Sequence, residues 1–400
     1  MYSIKFIFRN LVFLFLIIPF CKTFTPSKDL QYLVELLNSQ LNSQINENDL
    51  LETNTLTHID ILKKGYIGSL IKYFKELKHM NATKSNRQVD SKKLEIYFND
   101  IDELFRDYYD DSNFNSYMKC NYKFNKVFQS LSESIANVDF DHELKDLPHA
   151  HFDGDLILES NKYLADLIEK TYYYILSSSH NINGINEDAL KRIGQTLHTI
   201  HDFYAHSNWV EMGFENINYK LGTYVTDLGV GLSENEPNLQ TCWDQNCTRH
   251  VIMCNHLNGL SVLSEKLSGI SIDCPIIYYK CKNNVITDKL TSGYFGNQKN
   301  DKGREIRKPI ESKCNHGGYL DKKNGDIVVG GINKDTGYYI LSPHADLHIK
   351  AASLAIKHTE YYFDQLRNTI GNGYFDDLFG ILHRPHNLLN CIFKRLYFFG

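Results

Sequence analysis

Residues 194–213, GQTLHTIHDFYAHSNWVEMG, gather metal-capable side chains at a helical spacing. His198, Asp202 and His206 recur every four residues. At about 100° per residue, each such step drifts by only about 40°, so the three share one narrow stripe of a helix. His201 lies on the flank of that stripe, and Leu197, Ile200, Phe203 and Tyr204 offer apolar surface to hold the helix in a core. Imidazoles and a carboxylate buried together need partners, because unpaired polar groups are costly inside a protein. A divalent, zinc-like ion takes His nitrogen and Asp oxygen together, at around 2 Å. The plainer reading is a set of hydrogen-bonded core histidines, since HxxxD alone is a loose pattern.

Three further stretches carry the same residue types. LPHAHFDGD at 147–155 places His149, His151 and Asp153 on one side if it is extended, and is otherwise a helix entrance rich in capping acids. Thr57 reads as the N-cap of a helix that begins THID, which puts His58 at the entrance. There His58 is either a ligand pointing into a cleft or an ordinary first-turn histidine. Near the end, Pro343 suits a helix start, so His344 and His348 fall four apart on one face.

The elements that must position these groups are mostly helices. Helical patterns cover residues 28–44, a stretch opening at Thr57, 101–109, 122–136 and a long run to about residue 176. The metal-helix candidate follows a cap at 186–188, and residues 81–100 read as a polar loop. Residues 216–340 differ in character. They hold Cys242, Cys247, Cys254, Cys274, Cys281 and Cys314 among turn-forming sequence. In an oxidising compartment such a segment reads as a disulfide framework of undetermined connectivity. Its rival is a zinc knuckle using His250, His256 or His316, although the spacings match no standard one. The expected organisation is a helical domain over 24–215, a cysteine-rich insertion over 216–340 lying outside the bundle, a completing C-terminal helix over 341–382 and a tail over 383–400.

Composition sets the class. The net charge of −5 gives no basic footprint for nucleic acid. Lys5 and Arg9 precede an apolar run from Leu11 to Phe20, which predicts a signal peptide over residues 1–23 and a secreted product. That run is short for a membrane span, and no later stretch could serve as one. On a secreted chain, Asn81 in NAT and Asn246 in NCT become glycosylation candidates.

Several motifs occur in order: THID at Thr57, HFD at His151, LHTIHDFYAHSNWVE at Leu197, LTSGYF at Leu290, KCNHGG at Lys313, GINKD at Gly331 and SPHADLHIKAASLA at Ser342. Together they resemble the N-terminal domain of von Willebrand factor A domain-containing protein 7 and its relatives, which include the fungal heterokaryon-incompatibility (Het-C) proteins. Those animal proteins continue into a von Willebrand A domain, for which this chain has no DxSxS motif.

The order of His, Asp and HxxxD is also similar to the phospholipase C/P1 nuclease superfamily of helical enzymes. That likeness implies two to three zinc ions and hydrolysis of a phosphodiester, with a phospholipid as the favoured substrate. The carry-over puts His198 and Asp202 with Asp153 on one zinc, with Asp153 also as candidate base. It puts His206, His344 and His348 on a second zinc, and His58 with a bridging Asp202 on a third. The superfamily's first zinc also uses a His between its Asp and HxxxD; here only His180 lies between Asp153 and His198, at a different spacing, and His151 is the substitute. His348 stands where that superfamily usually has Glu, and more than thirty residues would precede His58 after signal cleavage, where the superfamily uses the amino terminus itself. A non-catalytic extracellular scaffold that keeps metal for stability is the competing expectation.

Overall fold

Apolar residues at helical spacing build the long elements of the computed structural model, which describes residues 55–80, 91–108, 122–177, 186–252, 275–296, 298–300, 302–323 and 325–381. The expected signal peptide, the helix at 28–44, Asn81, Cys254, Cys274 and the tail from 383 lie outside these residues. The helices are α1 (His58–Met80), α2 (Ser91–Asn99), α3 (Ile101–Tyr108), α4 (Tyr122–Asn137), α5 (Ile157–Ser177), α6 (Glu187–His206), α7 (His348–Ile370) and α8 (Asn372–Phe379). Strands are few. β1 (Cys247–Ile252) pairs antiparallel with β2 (Ile276–Cys281), and β3 (Lys322–Lys323) with β4 (Asp326–Ile327). The described chain is therefore mostly α.

Two expectations change. Residues 91–99 are not loop but helix α2, which buries Tyr97. The last long helix begins at His348 instead of Pro343, because residues 345–347 first make a 3-10 turn. His344 therefore precedes the helix, with φ −107° and ψ 38°, and the i, i+4 pairing of His344 with His348 does not arise.

The chain divides into two compact units. One gathers described residues up to Ile59 with Ala136–Asp166 and His198–Ala355; the other gathers Asp60–Ile135, Leu167–Leu197 and the residues from Ile356 onward. The second unit is packed with aromatic rings. Tyr66 meets Phe363 and Phe379 at 4.8 and 5.2 Å between centroids, and Phe105 meets Phe124 edge-on at 5.0 Å. Here Gly194 of α6 passes very close to α4. A Cβ at Gly194 would sit 2.5 Å from Ser134 Cβ and 2.8 Å from the Ile135 backbone nitrogen. Gly194→Ala gains about 1 kcal/mol of helix propensity but forces apart two packed backbones, an overpacking cost of about 1–3 kcal/mol. The clash should win. Urea unfolding is expected to report net destabilisation, and an unchanged or raised midpoint would refute this close approach.

The first unit holds the groups of chemical interest. Phe152 packs on Phe203 at 5.1 Å, and the Thr199 hydroxyl donates to the Ala150 carbonyl at 2.9 Å, fixing the 148–155 turn against α6. Disulfides join Cys242 to Cys314 and Cys247 to Cys281, the second lying across paired positions of β1 and β2. Four of the six expected cysteines are thus paired with one another, which removes them from any zinc knuckle.

Candidate metal centres

From Ile193 to His206 every residue of α6 is buried, so its imidazoles and carboxylate have no solvent to satisfy them. His198 and Asp202 face a first cluster. Asp202 Oδ2 lies 3.0 Å from His151 Nδ1 and 3.1 Å from His198 Nε2. Those two nitrogens are 3.2 Å apart, and Asp139 Oδ1 lies 3.6 Å from His198 Nε2 and 3.9 Å from His151 Nδ1. His151 Nε2 contacts the Leu144 carbonyl at 3.3 Å, which makes Nε2 the donor and leaves the Nδ1 lone pair facing the carboxylates. His58, the first residue of α1, stacks on His198 at 4.2 Å and brings Nε2 to 3.4 Å from Asp202 Oδ1. Its Nδ1 meets His201 Nδ1 at 2.9 Å, so His201 orients His58 from the flank of the stripe. Asp202 Oδ1 is buried without a hydrogen-bond partner.

His206, the last residue of α6, faces a second cluster. Its Nδ1 donates to the His151 carbonyl at 2.8 Å, and its Nε2 lies 3.0 Å from Asp335 Oδ1 and 3.2 Å from His316 Nε2. Asp153 Oδ1 is 3.1 Å from His206 Nδ1 yet accepts no hydrogen bond, while Gln298 Nε2 holds its other oxygen at 2.7 Å. The 148–155 stretch is not extended. A 3-10 turn over Pro148–Ala150 leads into Phe152 at φ 53°, a left-handed conformation that a bulky residue rarely adopts. This turn sends His151 to the first cluster and Asp153 to the second.

Several expected partnerships therefore change. Asp139, just past the end of α4, stands with His198 and Asp202 where Asp153 was expected, and the position of Asp153 gives no support to its role as base at that pair. His344 and His348 do not join His206. Both nitrogens of His344 face oxygen acceptors, Glu211 Oε1 at 2.6 Å and Asn284 Oδ1 at 2.7 Å. His348 Nε2 accepts from the Leu56 backbone at 2.9 Å, and its Nδ1 donates to the Lys334 carbonyl at 2.8 Å. All four ring nitrogens are thus engaged by protein groups.

Asp139 and Asp335 were absent from the candidates drawn from the sequence, and His316 entered only as a rival zinc-knuckle ligand beside the cysteines. KCNHGG and GINKD carried His316 and Asp335, but their glycines pointed to turns. Asn246 is exposed at the end of a 3-10 turn just before β1, with its Nδ2 donating to the Asn283 carbonyl at 2.7 Å.

Electrostatics in both clusters are unfavourable without a cation. Burial, aided by the imidazoles of His198, His201, His206 and His151, holds His58 well below the usual histidine range. Burial pushes the Asp202 carboxyl well up, with Asp335 and Asp153 adding to it. For His206 burial opposes the charge, but Asp153, Asp335 and Asp202 prevail and raise it well above its ordinary value. A divalent ion satisfies both kinds of group at once, accepting imidazole lone pairs and offsetting carboxylate charge. The donors fit such an ion.

Away from the clusters, burial lowers His348 to about 4 and His358 to about 3. The unfolded chain therefore takes up these protons first, near the ordinary value of 6.5. Stability is fully present above about 6.5 and falls as pH drops toward 4, on the order of 3 kcal/mol for His348 alone. Urea midpoints should fall between pH 7.5 and 4.5, and His358→Leu should flatten that slope. A slope unchanged in the variant would remove His358 from the account.

The fold and its sites define a class: a mostly helical, disulfide-bridged domain with His/Asp clusters built along one buried helix. The chain belongs to the VWA7 N-terminal domain family, whose profile matches residues 111–262 and 260–376. It is 28% identical over 260 residues to von Willebrand factor A domain-containing protein 7 of Mus musculus and, equally, of Homo sapiens. Each match covers 65% of this chain and 24% of the relative, so the chain spans about a quarter of the length of those proteins. No solved structure matches significantly.

Proposed function

We propose that this domain binds divalent metal of zinc type and uses it for phosphodiester hydrolysis. The observation that carries the reading is the first cluster. Asp139, His151, His198 and Asp202 converge from three separate stretches of chain, and second contacts aim lone pairs inward. Two imidazoles and two carboxylates suit zinc, and Asp139 followed by His151 and then HxxxD is the order that the phospholipase C/P1 likeness implies for its first ion. His58 beside Asp202 supports a further ion sharing that carboxylate.

A divalent ion in this setting supplies Lewis acidity toward a phosphoryl oxygen and lowers the pKa of water. The chain's own part is positional. Leu144 fixes the His151 tautomer, His201 holds His58, and the buried walls of α6 keep the site dry. Secretion belongs to the same reading, supported by the leader-like residues 1–23 and by two disulfides, which persist in oxidising compartments.

One observation favours the scaffold reading instead. His58, Asp139, His151, His198 and Asp202 are each fully buried, as in a closed structural site. Metal analysis and turnover separate the two. The purified chain should carry zinc and hydrolyse bis(p-nitrophenyl) phosphate or phosphatidylcholine vesicles, and His198→Gln should lose both. Zinc without turnover on either substrate leaves the scaffold, and absence of bound metal from freshly purified and zinc-titrated protein overturns both.

A further inference from the structure

We infer that His206, His316, Asp153 and Asp335 form a second divalent-cation site, completed by the cysteine-bridged segment that the sequence presents as an outside decoration. These ligands differ from the His206, His344 and His348 set that the superfamily likeness implies. The inference shares with the proposed function the premise that this unit binds metal, but it rests on separate residues and a separate argument.

The argument is one of hydrogen-bond accounting. His206 Nδ1 donates to the His151 carbonyl, so Nε2 is the nitrogen that offers a lone pair once an ion displaces its proton. His316 Nδ1 lies 3.0 Å from the Gly317 carbonyl and donates there, because a carbonyl oxygen only accepts. His316 Nε2 is then the second such nitrogen. These two nitrogens face each other at 3.2 Å, with Asp335 oxygens 3.0 Å from one and 3.5 Å from the other. Four electron-rich atoms around one point repel unless a positive charge lies among them.

No lysine or arginine fills that role. Among the described residues, Asp153 and Asp335 pair only with imidazoles. The neighbouring Lys334 turns its ammonium away, to the carbonyls of Ser207 and Ile332 and to Glu211. Asp153 Oδ1 supplies the independent sign. It is a carboxylate oxygen of a residue 1% exposed, without a hydrogen-bond partner, beside His206 and grouped with His316. Two carboxylates and two imidazoles make a neutral set with a divalent ion, and the nitrogen–oxygen mixture favours zinc-type metals over calcium or magnesium.

The positioning is specific to the bridged segment. His316 lies two residues beyond Cys314, whose disulfide to Cys242 anchors it. The His316 backbone donates to Tyr294 and accepts from Ile332 and Asn333. Gly293 comes so near that a Cβ there would lie 2.7 Å from His316 Cα. The imidazole is thus held from three sides.

Cobalt(II) and zinc titrations of the full chain test this, followed by metal content after gel filtration and by the visible cobalt bands. The expected result is at least two equivalents in the wild type. His316→Gln and Asp335→Asn should each lose one equivalent and keep the other, whereas His198→Gln should lose a different one, identified by a different cobalt spectrum. Gln and Asn keep side-chain volume, and circular dichroism with a thermal melt verifies folding. Should either variant fail to fold, the cobalt spectrum of His206→Gln decides instead. Metal content and spectra unchanged in His316→Gln and Asp335→Asn would overturn the inference. A wild type that binds a single equivalent, kept in His316→Gln and Asp335→Asn but lost in His198→Gln, overturns only the second site, whereas no metal in the wild type overturns the proposed function too.

Discussion

Asp202→Ala should abolish metal at the first cluster and destabilise the metal-free domain by about 1–3 kcal/mol, the range for leaving buried polar groups without their partner. Asp202 Oδ2 is the atom nearest to both His151 Nδ1 and His198 Nε2, and Oδ1 faces His58. Its loss leaves three buried imidazoles gathered around an empty volume. Asp202→Asn separates charge from shape. Burial pushes the Asp202 carboxyl well up, so the metal-free protein favours a neutral acid there, which an amide imitates closely. In chelator the Asn variant should unfold near the wild-type midpoint, whereas zinc should stabilise the wild type more than the variant, which keeps only the second site, because metal bound to the native state alone counts as folding energy. Equal zinc stabilisation of both proteins would show that Asp202 is no ligand.

The legible part of this site was the part written on one helix. His198, Asp202 and His206 are four apart, and a 3.6-residue period carries that spacing directly into space. Everything that closes the clusters comes from turns, where spacing in sequence says little about direction. Asp139 follows the end of α4, and nothing local marks it apart from other acids after a helix. His316 and Asp335 sit in glycine-rich turns that resemble each other as punctuation, and the bridges Tyr294–Asn315 and Gly317–Gly331, with the Lys334 amide donating to the Ala205 carbonyl, bring them to His206.

The misplaced pair, His344 and His348, shows the converse. Their spacing suited a helix, but Pro343 opens a 3-10 turn, and α7 begins too late to align them. The helices themselves were legible wherever apolar periodicity was strong, as in α1, α4 and α6. They were not where burial falls on isolated residues such as Tyr97 in α2.

Removing the Cys242–Cys314 disulfide should be the costlier of the two cysteine deletions. The bridge closes 72 residues of chain, worth about 4 kcal/mol of unfolded-state entropy, whereas Cys247–Cys281 closes 34 and should be worth a few tenths less on that ground alone. The native environments widen the gap. Cys314 is fully buried against Cys242, Val285 and Ile332, and its backbone ties to Thr241 and Tyr294. Replacing both cysteines by alanine there leaves a void in addition to a looser chain. Cys247 and Cys281 instead close one end of a strand pair whose ladder survives without them. Cys242→Ala with Cys314→Ala should therefore lower the urea midpoint more than Cys247→Ala with Cys281→Ala, and should also disturb His316 two residues on. The first cluster draws no ligand from the bridged segment, so its metal should persist in both variants that remain folded. An equal or smaller loss from the 242–314 deletion would mean that the bridge merely decorates a segment held by its own packing.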